Sequence, residues 1–400
     1  VPGFRARAWW LTAGSPVSLT LEEDPVATDL ADALNEVSAL CREAQRPDVL
    51  LASVSQAVRR AVPFEGALWF GTDPTTVLAT CPVRIENVET GHCESYWTRE
   101  CQVEDALLFR DLARAPSPAG SLYQATDDHP VRSARYREYL APQGYGDELR
   151  VAFRVNNATW GVADLHRERG RRAFSRTEVA FMSTISPTIG RALSNLNREA
   201  KAAAPTSGSE TVGVALFTPE GDLVSLSPAA EHWFTLLGGP SWRQQSVEKA
   251  RLTSVWAVVG RAVAVSEGRE VGPASAQVRV AEGTWLSVTG TGTRLPNGRT
   301  GLVAVRIAPS SASELAPVIL QSAGLTPRER QVTQALSRGL ATKEIAATLG
   351  LSAFTVRDHL KEIYAKVGVN NRGALLARLF TESYSPPLHE PGADVVFGDF

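Results

Sequence analysis

Residues 325–380 read LTPRERQVTQALSRGLATKEIAATLGLSAFTVRDHLKEIYAKVGVNNRGALLARLF, three helical patterns with two short breaks and a fourth following. Thr326 is placed to cap the first helix. Pro327 suits its first turn, and Glu329, three residues after the cap, can return the bond. Val332, Leu336 and Leu340 recur at helical spacing, with Gly339 near the stop. A shorter helix opens at Thr342 or Lys343, turns Ile345, Ala346 and Leu349 inward, and ends at Gly350. Ser352 caps the third helix and Gly368 stops it.

The third helix separates into two faces. Val356, Leu360, Ile363, Tyr364 and Val367 fall on one stripe, which predicts the core. At about 100° per residue, Phe354, Asp358, Lys361 and Ala365 point the other way, flanked by Arg357 and Glu362. A short helix, a tight turn containing glycine and a helix with a polar outer face make a helix-turn-helix, whose second helix can enter a DNA major groove.

The block resembles the LuxR-type (NarL/FixJ) DNA-binding domain of bacterial transcription regulators. The matching positions are Leu325-Thr326, Arg328-Glu329, Gly339, Lys343-Glu344-Ile345-Ala346, Leu349, Ser352, Thr355-Val356, His359, Ile363, Lys366, Val369 and Arg372. The resemblance implies an all-α tetrahelical domain at 324–382. It also implies base contacts from Arg357, Asp358 and Lys361, the residues after the Thr-Val pair. Arginine can bind guanine with two hydrogen bonds, lysine can do so more loosely, and aspartate can accept from cytosine. Lys343, Thr355 and Lys366 would hold phosphates, which position the protein without reading sequence. Asp358 departs from the usual neutral or basic choice and can equally pair with Lys361 or Arg357. The fourth helix would dimerise through Leu375, Leu376 and Leu379. His359, beside the apolar stripe, reads as a packed, hydrogen-bonded histidine.

Charge agrees with that reading. Between Ser322 and Glu382 nine basic residues face five acidic ones, while the whole chain carries a net charge of −2. A basic module on a near-neutral protein suits phosphate binding.

A chain of 400 residues is too long for one ordinary domain. Apolar content of 44% with 21% charged residues is ordinary for a globular protein. Nothing approaches the roughly 18–20 apolar residues of a membrane span. The opening VPGFRARAWWLTAGS has too short an apolar run for a signal peptide, so 1–25 is expected as a disordered tail and the protein as cytoplasmic. In that compartment Cys41, Cys81, Cys93 and Cys101 should stay reduced.

From Thr28 to Val62 the periodicity predicts two helices, stopped by Pro63. Ala67–Phe70 reads as a buried strand and Thr76–Thr80 as its return. Glu94–Trp97 and Val103–Leu112 look helical. The polar and aromatic stretch Tyr123–Gly146 suggests a lid or cross-connection. Leu149, Val151, Phe153 and Val155 alternate with Arg150, Ala152 and Arg154, and Thr159–His166 returns after the Asn156-Asn157 turn. Ser175 and Glu178 form a capping box for a helix that Pro187 should bend. Two helices, strands, a variable middle, a hairpin and a closing helix resemble an α+β GAF sensor domain over 26–199.

Ala200–Glu210 has linker composition. The following segment resembles an α+β PAS domain over 211–308, with Ser227 where such domains often have asparagine. It reads as strands at Val212–Leu216 and Leu223–Leu226, a helix starting at Ser227, a helix at Val247–Glu267, and strands at Ala274–Val280, Thr284–Gly292 and Thr300–Ile307. Residues 309–323 are expected as a linker and 383–400 as a disordered tail.

Elsewhere the chemistry is thin. His92-Cys93 with Cys101 is the one sensor-like cluster, but it lacks the paired close spacings of a zinc site, and semi-buried inert cysteines are the expected reading. His129 and His166 could ligate haem, though surface or core positions suit them better. No P-loop, nucleophile elbow or His-Glu-x-x-His motif occurs, so neither catalysis nor a cofactor has positive support. The early acidic residues and phosphoacceptor aspartate of a receiver domain are also missing.

The expectation is a multidomain, effector-controlled transcription factor that binds double-stranded DNA as a homodimer. A small molecule is one candidate for its effector, which the sequence does not name, and RNA polymerase would be a further partner if it activates. The alternative is a ligand-binding or protein-interaction module with weak or lost DNA binding, which the overall negative charge and Asp358 permit.

Overall fold

The computed structural model describes residues 25–89, 93–155, 158–199, 212–244, 251–280 and 284–380. The tails expected at 1–25 and 383–400 and the linker at 200–210 fall outside these residues, Pro25 apart.

Helices α1 (Pro25–Glu43) and α2 (Pro47–Ala61) open the chain. Strands β1 (Gly66–Thr72), β2 (Ala79–Glu86), β3 (Ala119–Ser121), β4 (Tyr145–Val155) and β5 (Ala158–Glu168) form an antiparallel sheet in the order β2-β1-β5-β4-β3. On one face Leu149, Val151 and Phe153 meet Trp69, Leu51, Val54 and Ile185, so α2 and α6 (Arg176–Glu199) cover this side. The other face lies under α3 (Cys93–Gln102), α4 (Phe109–Leu112), α5 (Leu122–Ala125) and the turns at Pro130–Arg132 and Tyr136–Leu140.

Strands β6 (Gly213–Phe217), β7 (Leu223–Leu226), β8 (Ser275–Arg279), β9 (Trp285–Arg294) and β10 (Thr300–Pro309) form the second sheet, in the order β7-β6-β10-β9-β8. Within each sheet the strands lie second, first, fifth, fourth, third, so the two sheets share one topology. Helices α7 (Pro228–Gly238) and α8 (Thr253–Ser266) accompany it, and the Ser227 hydroxyl caps α7 by accepting from the Ala230 N–H.

Helix α8 joins the two sheets. Every residue from Thr253 to Ala264 is buried, the signature of a helix enclosed on all sides. It packs on β9 and β10 of its own sheet and on α3 and β2 of the first. A Cβ on Gly260 would lie 2.8 Å from the Trp97 carbonyl oxygen, so only glycine allows this approach. Trp97 and Cys101 share one continuous core with Val258, Val259 and Val288. The Gln277 N–H donates to the buried Asp73 carboxylate at 2.8 Å, and Glu270 takes Arg110 from the first unit and Arg261 from α8.

Three expectations need correction. The return strand begins at Ala79 and not Thr76, because Asp73 accepts from the Thr75 N–H and hydroxyl and Val77 turns at φ 64°. Within Val103–Leu112 only Phe109–Leu112 is helical, Leu107 standing at φ 60°. Residues 309–323 are not a plain linker: α9 (Ala312–Ser322) occupies most of them, capped by a reciprocal Ser311–Glu314 box. Arg150 sits on the polar side of its strand pattern yet is fully buried. The cover over that sheet face replaces solvent with other charges.

Candidate nucleic-acid interface

The last four helices are α10 (Pro327–Ser337), α11 (Thr342–Leu349), α12 (Ala353–Val367) and α13 (Arg372–Phe380). The sequence signals act locally as the chemistry requires. The Thr326 hydroxyl accepts from the Glu329 N–H at 3.2 Å, and Glu329 accepts from the Thr326 N–H at 2.7 Å. The Ser352 hydroxyl accepts from the Thr355 N–H at 3.0 Å. Gly350 and Gly368 end their helices at φ 63° and 73°, where a Cβ would be strained. Val332, Leu336, Ile345, Val356, Leu360, Ile363 and Val367 then form a separate core.

The outer face of α12 carries Phe354, Arg357, Asp358, Lys361, Glu362 and Ala365, all exposed. Phe354 is 67% exposed, too open for a packing residue within this unit. Lys361 lies 3.9 Å from Asp358, a loose surface pair that leaves both groups available. Lys343 is exposed at the start of α11, and Thr355 is half-buried with its hydroxyl 2.9 Å from that of Ser352. His359 is half-buried beside the apolar stripe.

The other basic residues divide by their partners. Lys366 is gripped by both Glu329 oxygens at 2.8 Å. Burial pushes the Glu329 carboxyl up, but the bonds from Lys366 and the Thr326 N–H outweigh it, and the net shift is down. Arg328 donates to the Leu349 carbonyl at 2.6 Å, Arg330 to that of Leu325 at 3.0 Å, and Arg372 to that of Gly339 at 3.2 Å. These cations tie helices together.

Leu375 is fully buried in the core of this unit, so its side chain is spent on the fold and is not open to a second copy. Leu376 is half-buried, and the Leu379 side chain lies outside the described residues. Helix α9 packs against α13 and sends Ala316, Ile319 and Leu320 onto the same core. The sequence carried a signal for α9, the Ser311-x-x-Glu314 capping box. Lys366 is 37 positions from Glu329, and no local pattern announces that pair.

In the suggested sensor cluster, His92 and the Cys93 side chain lie outside the described residues. Cys101 is buried under α8, its thiol contacting the Ala257 carbonyl oxygen at 3.8 Å, and burial pushes that thiol far up. A thiol held in this way is unreactive. Cys41, Cys81 and Cys101 are free. His129 is exposed and His166 buried.

Residues 323–378 match the model of the luxR family of bacterial regulatory proteins, GerE. This segment is a LuxR-type helix-turn-helix domain. Over 56 residues, 14% of this chain, it is 52% identical to the transcriptional regulatory protein UhpA of Escherichia coli, of which the match spans 29%. The LuxR-type domain is thus the part shared with that relative, and the chain spans under a third of the relative's length. Among solved structures, the phage VqmA–DPO complex is 19% identical with a TM-score of 0.23, covering 46% of this chain and 89% of that one. The bacteriophytochrome RpBphP3 of R. palustris is 10% identical with a TM-score of 0.30, covering 74% and 64%. Both likenesses are too low to carry an argument. The α+β sheets ahead of the LuxR-type domain therefore rest on their own geometry. Among the described residues no helix is long and apolar enough to cross a membrane.

Proposed function

We propose that the chain is a sequence-specific DNA-binding transcriptional regulator, with the two sheet units as GAF-like and PAS-like sensor domains. One observation carries the reading: α12 presents Arg357, Asp358 and Lys361 to solvent on one face, and Lys343 of the preceding helix is exposed as well, within a LuxR-type domain. A helix bearing such a face reads base edges in the major groove. Arg357 and Lys361 would donate to guanine and Asp358 accept from cytosine. Lys343 and Thr355 would hold phosphates. Lys366 joins them only by leaving Glu329, so its first role is internal. Dimerisation on DNA would use α13, through Leu376 and Leu379, placing inverted half-sites about one helical turn apart. The sensor reading rests on the order of helices and strands in each unit and on the strand order that the two sheets share. A small-molecule effector and, for an activator, RNA polymerase complete the partners, and the reading requires no catalysis.

The test is binding of the full chain to a selected DNA site across a salt series. Affinity should fall by about 0.9 log unit per tenfold salt for each phosphate neutralised. Lys361→Ala should erase preference for the site over scrambled DNA, while Lys343→Ala should weaken both alike. Salt-independent or absent binding would leave the protein-interaction reading in its place.

A further inference from the structure

The covered face of the first sheet holds a charged cluster that DNA binding does not use. Glu148 pairs in register with His166, and Arg150 with Asp164, on adjacent strands β4 and β5. All four are 0% exposed. Arg135 forks onto Glu148 at 2.6–3.0 Å. Arg150 donates to Glu100 at 2.7 Å and lies 3.6 Å from Asp164. The Tyr96 hydroxyl donates to Asp164 Oδ2 at 2.9 Å. Two guanidiniums, Arg135 and Arg150, thus face the carboxyl groups of Glu100, Glu148 and Asp164.

Four atoms of the cluster remain unused. Asp164 Oδ1, both ring nitrogens of His166 and Arg150 Nε are buried and make no hydrogen bond. His166 Nε2 lies 3.1 Å from Asp164 Oδ1, close enough for one, yet the approach lacks the required direction. A ring N–H bonded to that oxygen would point at it. Two ligands on adjacent corners of one metal ion behave differently. Bonds of about 2.1 Å, at octahedral or tetrahedral angles, hold their donor atoms about 3.0–3.4 Å apart with no N–H between them. Glu148 supplies the third donor: one ligand atom from each of Glu148, Asp164 and His166 lies within 4.8 Å of the others.

We propose that Glu148, Asp164 and His166 bind a divalent first-row transition metal ion. One imidazole and two carboxylates suit zinc, cobalt, manganese or ferrous iron. Arg135 and Tyr96 then act as outer groups that orient Glu148 and Asp164. The ion would tie β4 to β5 beneath α3, the helix that packs on α8, and so would bear on the junction of the two sheets.

The test uses the full chain purified without chelator. Elemental analysis should find about one metal ion per chain. After stripping, Co²⁺ should produce a d–d absorption band that saturates near one equivalent and should raise the melting temperature. His166→Gln should weaken Co²⁺ binding by about tenfold or more. A parent protein with no saturable Co²⁺ band, or a folded His166→Gln variant binding as tightly as the parent, overturns the proposal. Should that variant not fold, ¹⁵N NMR of the parent decides. Zn²⁺ at one equivalent should shift the His166 ring nitrogens, whereas a doubly protonated ring that Zn²⁺ leaves unmoved overturns the site.

Discussion

Glu329 does three things at once. It returns the capping bond to Thr326, sits almost out of solvent, and holds Lys366. Its carboxyl is lowered on balance, so the stability it contributes is fully present above the usual carboxylate range and is lost as pH falls below that range, through the lowered value. Glu329→Gln should cost about 1–2 kcal/mol at neutral pH in urea unfolding of the helical unit, with the difference from the parent closing only as pH drops below the usual carboxylate range. An unchanged gap at low pH would mean that the Lys366 pair contributes nothing. The same variant frees Lys366, so any phosphate contact it makes should strengthen while folding weakens. Phe354 offers a simpler residue-scale test. Phe354→Ala removes no core contact, so thermal stability should stay within about 0.5 kcal/mol, and any loss of DNA affinity reports contact with the ligand.

At the scale of elements, α8 and α9 decide how the parts meet. Gly260 admits α8 against the Trp97 carbonyl, and the obstructing atom is backbone, which cannot swing aside. Gly260→Ala should therefore destabilise the two sheets by about 1–3 kcal/mol through overpacking, although alanine is the better helix former. A neutral or stabilising result in a denaturant titration would show that α3 and α8 part easily. Helix α9 has its cap in the second sheet's territory, since Glu314 also accepts from the Ser287 hydroxyl at 2.8 Å. Its other end touches the helix-turn-helix core, and Val318 reaches the core under α6. Ser311→Ala should weaken the helix by about 1 kcal/mol and loosen the joint, read as faster amide exchange across 312–322.

At the scale of the whole molecule, the first and second sheets share one core through α8, while the helix-turn-helix has its own. The two sheets should unfold together. Tryptophan emission, which samples Trp97 in the first unit and Trp233 and Trp256 in the second, should follow one transition coincident with the loss of β-sheet signal. Two separated transitions, one for each sheet, would show that the shared core is not cooperative. Residues 26–199 expressed alone should expose the α3 surface that α8 covers and associate in solution, a consequence of uncovered apolar area.

The amino-acid sequence alone determined the parts whose physics is local. Capping boxes at Thr326–Glu329 and Ser175–Glu178, the αL glycines Gly350 and Gly368, and the stripe of α12 depend on neighbours within about four residues, so their spacing can be read directly. The exposed set Phe354, Arg357, Asp358 and Lys361 follows from that stripe. Boundaries failed where a side chain several residues away reshaped the turn, as Asp73 does before β2. Only the tertiary structure decided what depends on distant chain segments. It buried Arg150 and His166 by laying α3 and the 130–140 turns over the strand face that carries them. It took Leu375 into a core instead of an interface, committed Lys366 to Glu329, and enclosed α8 between two sheets. Each of these outcomes rests on which surfaces meet, and contacts made across long sequence separations leave no periodic trace in the chain.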